Sequence, residues 1–210
     1  MNNVKLIIFD LDGVLINSLN NMKYALKNTN KKLGLKLEFN KYRKYIGLPF
    51  FEILKKIGVK KNFSEIEKNY KFFSKRKINK IKINKSTIIE LKKLKKKYKL
   101  AIFTSKDKDR TLKITKKINY FSHIVSSEEL KKGKPHPEGI NKILKVSKSK
   151  KKNVIYVGDS LYDYIAAKKA KVKYLHATWG YDHYLKKNKK ITKINKLSDI
   201  RKFFDNKKIL

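Results

Sequence analysis

Val4-Lys5-Leu6-Ile7-Ile8-Phe9 is a nearly continuous apolar run rich in branched side chains, and it stops abruptly at Asp10. A segment of that length and character reads as a strand buried on both faces, the condition of an inner strand in a parallel sheet. Such a strand needs helices on either side to cover it, which restricts the chain to the α/β class. Asp10 and Asp12 then leave the strand's C-terminal end, followed by Gly13, at the edge where an open α/β sheet holds its ligands. Two carboxylates beside an apolar strand end call for a positive partner. A hard divalent cation suits them, since Mg²⁺ prefers oxygen and combines one or two carboxylates with water and substrate phosphate. Taken alone, Asp-Leu-Asp-Gly reads equally well as a turn, so the rest of the chain decides.

From Leu19 to residue 82 the apolar periodicity is helical. One helix covers Leu19 to Leu33 and closes at Gly34, a second runs over about Asn40 to Tyr45, and a third covers Phe50 to Ile57 and closes at Gly58. Ser64 and Glu67 mark a capping box for a fourth helix reaching about Lys77. From Ser86 onward helix and strand alternate: helices over 86–98, 107–118, 137–146 and 161–170, strands over 100–103, 121–125, 153–157 and 174–177. The loop 131–137 contains Gly133, Pro135 and Pro137 and admits neither helix nor central strand. After Asp182 the pattern predicts a short helix, an edge strand over 191–194 and a closing helix near Ser198 to Phe204. The expected architecture is a Rossmann-like, doubly wound parallel sheet formed by residues 1–17 and 83–210. A helical cap of residues 18–82 enters after the first strand, where it overlies the sheet's C-terminal edge as a lid does.

Composition narrows the chemistry. None of the 210 residues is cysteine, so disulfides, thiolate nucleophiles and thiolate metal sites are excluded. His123, His136, His176 and His183 lack metal-ligand spacing. No segment approaches the roughly 20 apolar residues that span a bilayer, and the first residues lack the cleavage site of a secretory signal, so a cytoplasmic protein is expected. The formal net charge of +39 invites a nucleic-acid reading. Yet the lysines recur along the whole chain together with Asn and Ile, all residues with A/T-rich codons, and the excess is Lys rather than the base-reading Arg. A genome of low G+C content accounts for that bias, and the charge still draws small anions toward the surface.

Three strands end in chemically pointed residues: Asp10 and Asp12, then Thr104-Ser105, then Gly158-Asp159-Ser160 with Asp163 following, while the proline-flanked loop supplies Lys134. In a parallel sheet these ends share one edge. The set suits a phosphate monoester, with hydroxyls, backbone N–H groups and a lysine for the phosphoryl oxygens and a carboxylate to attack phosphorus. Together, Asp10-Leu11-Asp12-Gly13-Val14-Leu15, Thr104-Ser105-Lys106, Gly133-Lys134-Pro135-His136-Pro137-Glu138 and Gly158-Asp159-Ser160 with Asp163 closely resemble the four ordered motifs of the haloacid dehalogenase-like hydrolase superfamily. The helical insert, and Ala177-Thr178-Trp179-Gly180-Tyr181, are similar to features of its phosphoglycolate phosphatase and β-phosphoglucomutase branch.

That resemblance implies a phosphatase acting on a small phosphorylated metabolite, phosphoglycolate-like or a sugar phosphate. Asp10 would be the nucleophile that forms an aspartyl-phosphate, and Asp12 the acid that protonates the leaving oxygen and then activates water. Mg²⁺ would be bound by Asp10, the Asp12 backbone and Asp159, supported by Asp163. Gly13, Thr104, Ser105 and Lys134 would hold the phosphoryl group, and Arg43, Lys44 and Tyr45 of the cap are the candidates for reading the leaving group. Asn17 and Lys171 depart from the common pattern, where relatives often carry Asp and Gly. A phosphomutase shares every motif and stays open as an alternative. A polyanion binder or nucleic-acid end phosphatase is a further one, recognisable by steep salt dependence. A monomer or homodimer is expected.

Overall fold

The computed structural model describes residues 4–81, 83–116, 118–182 and 184–201. The opening apolar run becomes β1 (Leu6–Phe9), wholly buried. With β2 (Lys99–Phe103), β3 (Phe121–Val125), β4 (Val154–Gly158), β5 (Lys173–Ala177) and β6 (Lys193–Ile194) it builds a six-stranded sheet in the order β3-β2-β1-β4-β5-β6. Every pairing is parallel, and Phe9 aligns with Ile102 on one side and Val157 on the other. The acids after β1 therefore sit at the middle of the sheet's C-terminal edge, flanked by the ends of β2 and β4.

Alternation along β1 explains why both faces are covered. Ile7 and Phe9 join one apolar cluster with Leu91 and Leu94, whereas Leu6 and Ile8 join another with Ile140, Ile143, Ala166 and Ala170. Each large side chain so buried contributes about 1.5–3 kcal/mol, which gives the site a rigid floor.

Between β1 and the remainder of the sheet lie α1 (Leu19–Leu33), α2 (Phe39–Arg43), α3 (Phe50–Lys56) and α4 (Phe63–Arg76), with α1 packed along α4. They bury their own cluster around Met22, Leu26, Tyr42, Leu48, Ile53 and Tyr70. The helices that dress the sheet are α5 (Lys85–Lys95), α6 (Lys108–Thr115), α7 (Glu138–Ser147) and α8 (Leu161–Ala170), and α9 (Tyr184–Lys187) follows β5. Among the described residues no helix is long and apolar enough to cross a membrane.

Some boundaries differ from the sequence expectation for identifiable reasons. The capping box at Ser64 and Glu67 does not form: Asn62, at φ 59°, takes the left-handed conformation that Asn tolerates and starts α4 at Phe63. Capping boxes occur instead at Ser126 with Glu129 and at Ser160 with Asp163. The helix expected from Asp107 to Ile118 ends at Thr115, and Asp107 is its cap, accepting the Arg110 N–H at 3.0 Å. The edge strand shrinks to two residues, and of the closing helix residues 202–204 lie outside the described residues. Lys171 ends α8 at φ 57°, a left-handed position that is strained for a side-chain-bearing residue.

Candidate active site

The junction of β1, β2 and β4 brings the sequence-nominated acids together. Asp10 leaves β1, Asp159 leaves β4, and Asp163 stands in the first turn of α8. All three are buried, and one carboxylate oxygen of each lies within 4.8 Å of the others. Lys134 reaches them from the loop before α7, with its ammonium 2.6 Å from Asp10 Oδ1 and 2.7 Å from Asp163 Oδ1. The rings of Phe103 and Tyr156 lie 4.9 and 5.6 Å from that ammonium.

The electrostatics follow from this crowding. Burial pushes the Lys134 ammonium down, but Asp10 and Asp163 more than offset it and carry it up to about 12. Burial raises the Asp10 carboxyl to about 7; Lys134 opposes the rise, and Asp163 and Asp12 add to it. Burial, then the charges of Asp10 and Asp163, drive Asp159 well above the ordinary carboxylate range. Asp163 goes the other way: burial raises it, and the Lys134 charge with hydrogen bonds from Lys134, Ser160 and Tyr156 outweighs that. Three acids thus share one lysine, and the lysine serves only two of them.

The hydrogen bonds separate the acids by role. Asp163 has both oxygens engaged, Oδ1 by Lys134 and Tyr156 and Oδ2 by the Ser160 N–H and hydroxyl at 3.0 and 2.6 Å. Among the described residues Asp159 accepts only the Tyr181 N–H, at 2.6 Å on Oδ2. Two glycines make room for it. A Cβ on Gly13 would stand 2.2 Å from Asp159 Oδ2, and one on Gly180 would stand 2.1 Å from Asp159 Cβ. Gly13, at φ +88°, gives its own N–H to the Ile16 carbonyl at 2.8 Å, so its contribution is close approach rather than the expected phosphate contact.

Asp12 is held apart from this cluster by the Ser18 hydroxyl and by Lys106, whose ammonium lies 3.1 Å from Asp12 Oδ1. Burial lowers the Lys106 ammonium, which Asp12 resists and Arg110 reinforces. The Tyr181 hydroxyl accepts the Ser18 N–H at 2.8 Å, so the stretch following β5 supports both Asp159 and the Asp12 side.

Beneath α1–α4, Asp10, Asp12, Asp159 and Lys106 line a cavity of about 50 Å³. Thr104 lines it, buried at the end of β2, and its hydroxyl accepts the Lys106 N–H at 3.1 Å. Ser105 also lines it, but donates its hydroxyl to the Gly47 carbonyl at 2.6 Å and so ties the cap segment to the sheet edge. Arg43 and Lys44 do not reach the cavity. They are exposed on a neighbouring cleft shared with Asp159, Ser160 and Tyr162, and Tyr45 packs on the cap's apolar cluster. The helical turn of α2 points Tyr42 inward, which sends the next two side chains out. Tyr42, Tyr70, Lys106 and Arg110 occupy the cavity wall instead. Sequence reading gave none of the four a role, although Lys106 stands in the quoted Thr104-Ser105-Lys106 motif. A signal for Arg110 was available, since it is one of four arginines among 56 basic residues, and Arg is the side chain suited to a fixed, multiply bonded cation.

Comparisons with known proteins agree with this arrangement. Residues 7–177 match the family model described as haloacid dehalogenase-like hydrolase. The chain is similar to a phosphoglycolate phosphatase of Aquifex aeolicus, 32% identical over 97% of this chain and 98% of that protein. It is also similar to pyrophosphatase PpaX of Bacillus mycoides, 26% identical over 94% of this chain and 95% of the relative. Among solved structures, a haloacid dehalogenase-like hydrolase of Streptococcus pneumoniae superposes with a TM-score of 0.83 at 25% identity, covering 97% of this chain and 100% of the other.

Proposed function

The chain belongs to the haloacid dehalogenase-like hydrolases, and from that premise we propose a Mg²⁺-dependent phosphatase that cleaves a small phosphate monoester through an aspartyl-phosphate. The observation that carries it is the cluster of Asp10, Asp159 and Asp163 around Lys134 under the cap. Phosphatase and pyrophosphatase names among its relatives support the reaction class.

The donor set fits the ion: buried carboxylate oxygens, a positive deficit felt most by Asp159, and no sulfur or imidazole among the clustered ligands. Asp10, the Asp12 backbone carbonyl and Asp159 would hold it, with Asp163, whose oxygens are all engaged, keeping Lys134 in place. Bound there, Mg²⁺ supplies positive charge against the phosphoryl oxygens.

The protein groups then divide the chemistry. Asp10 presents Oδ1 to Lys134, and its other oxygen, which takes no hydrogen bond among the described residues, forms the bond to phosphorus as the P–O bond to the leaving group breaks. Asp12 gives its proton to the departing oxygen. In the second half Asp12 takes a proton from water, which attacks phosphorus and frees Asp10. Lys134 and Thr104 would hold the phosphoryl oxygens. Residues 18–82 form the cap that excludes bulk water during both steps.

The test is phosphate release from a panel of small monoesters with and without Mg²⁺, beside Asp10→Asn. Release that needs the metal and falls by roughly 10⁴-fold or more in the variant is the expected result, given what losing a covalent nucleophile does elsewhere. Release independent of Asp10 would overturn the assignment. Activity confined to primer-dependent isomerisation of a sugar phosphate would replace it with a phosphomutase.

A further inference from the structure

The cavity has a second wall that the proposed phosphoryl chemistry does not use, formed by Lys106, Arg110, Tyr42 and Tyr70, all buried. Their bonding is unequal. Arg110 donates to Asp107 and, at 2.9 Å, to the Ser74 hydroxyl, and it lies 5.5 Å from the Tyr70 ring centre. The Tyr42 and Tyr70 hydroxyls share a hydrogen bond of 3.2 Å. Lys106, by contrast, has a side chain only 3% exposed and a single acceptor among the described residues, Asp12 Oδ1. An ammonium carries three donors, so this one is buried, facing the cavity, with most of its hydrogen-bonding capacity unused.

Asp12 does not complete that set, because it lies on the proton-transfer path to the leaving oxygen. An acceptor brought in beside the leaving oxygen would complete it, and burial makes such a charge-assisted bond stronger than it is in water. Space limits what can bring it. One water-sized group needs roughly 10–15 Å³, so a cavity of about 50 Å³ bordered by Ile46 and Leu48 has room for little beyond a phosphoryl group.

Resting on the phosphatase reading above, we propose that Lys106 is the specificity-determining residue and that it binds an oxyanion carried by the leaving group. Substrates are then small phosphoryl compounds whose leaving group bears its own negative charge, as a carboxylate or a second phosphoryl group. Neutral polyols and sugars, which the motifs alone leave open, are discriminated against.

The experiment compares kcat/KM for 2-phosphoglycolate, pyrophosphate and the neutral 2-hydroxyethyl phosphate, using the full chain with Mg²⁺. The wild type is expected to favour a charged substrate over the neutral one by about tenfold or more, the scale of a hydrogen bond to a charged group. Whichever of the two anions is preferred identifies the source of the oxyanion. Lys106→Gln should shrink that preference by roughly tenfold to a hundredfold, mainly through KM, and Lys106→Arg should keep most of it. Equal use of charged and neutral substrates by the wild type overturns the proposal and leaves the phosphatase standing. So does a Lys106→Gln variant in which all substrates fall by the same factor, the signature of a residue that only positions Asp12. The wild-type ratio and Lys106→Arg decide the matter even where Lys106→Gln does not fold. Release from no substrate at all overturns the phosphatase reading, and this proposal with it.

Discussion

Two lysines are buried at this site, one on the sheet side and one on the cap side, and the chain treats them in opposite ways. Lys134 is clamped between two carboxylates at 2.6 and 2.7 Å, and its charge is reinforced up to about 12. Lys106 has one carboxylate at 3.1 Å and a lowered ammonium. Buried charges persist where partners and hydrogen bonds complete them. On the sheet side the protein itself completes the set around Lys134. On the cap side Lys106 keeps a single carboxylate among the described residues. In the reading proposed above, the first serves the chemistry common to any phosphoryl group and the second the choice among substrates.

The largest expected break of that contrast is in stability. Lys134→Met strands Asp10 and Asp163 as buried carboxylates and should cost about 3–5 kcal/mol. Lys106→Met should cost about 1–2 kcal/mol, since Asp12 keeps its Ser18 hydrogen bond and borders the cavity. Denaturant unfolding measures both, and equal losses would erase the distinction.

Next comes metal affinity on the sheet side. Gly180→Ala drives a methyl into Asp159 and should raise the Mg²⁺ concentration for half-maximal activity by roughly 10- to 100-fold, as displaced support for a metal ligand does. A change in substrate preference instead would show that the two sides are not separable.

A smaller effect concerns pH. Asp10, at about 7, and Asp159 are raised above their unfolded values. A raised carboxyl adds stability that is fully present below its unfolded pKa and is lost as pH rises through the folded one. Metal-free protein should therefore melt lower at pH 8 than at pH 5, by roughly 2–4 °C per kcal/mol lost. Added Mg²⁺ should raise the melting temperature more at pH 8 than at pH 5. Asp163 is depressed, so its contribution is lost only on acidification, below that window. Thermal melts in chelator and in Mg²⁺ at the two pH values give the answer, and a stabilisation larger at pH 5 would reverse the sign.

The smallest effect is at the tie between the two sides. Ser105→Ala removes the hydroxyl bonded to the Gly47 carbonyl and should weaken cap closure by about 1 kcal/mol. Steady-state kinetics should show a modest loss common to all substrates, since this tie lies on neither lysine.

Much of this was legible in the residues. The five main strands fall where the apolar runs are: the inner strands β1, β2, β4 and β5 are almost wholly buried, and the edge strand β3 is only partly so. Asp10, Thr104 and Asp159 are placed by the ends of those strands. Lys106 was not legible as a binding residue, because a buried lysine and a solvated one look identical in a chain holding so many. Arg43, Lys44 and Tyr45 were the natural basic and aromatic choices in the cap, but a five-residue helix gives too little periodicity to tell its inner face from its outer. Ser105 and Gly13 were read as phosphate contacts from their position; in the structure the Ser105 hydroxyl donates to the Gly47 carbonyl and the Gly13 N–H to the Ile16 carbonyl.

What the sequence determined by itself was the order of strands and helices and the four places where chemistry leaves the sheet, since those depend on local pattern and on the direction of parallel strands. Which buried charge answers which was decided only in three dimensions. Lys134 and Asp10 are 124 positions apart, and Lys106 meets Asp12 from a different strand end. The strength of such pairs depends on distance and burial, and neither quantity exists until the sheet has brought its ends together and the cap has covered them.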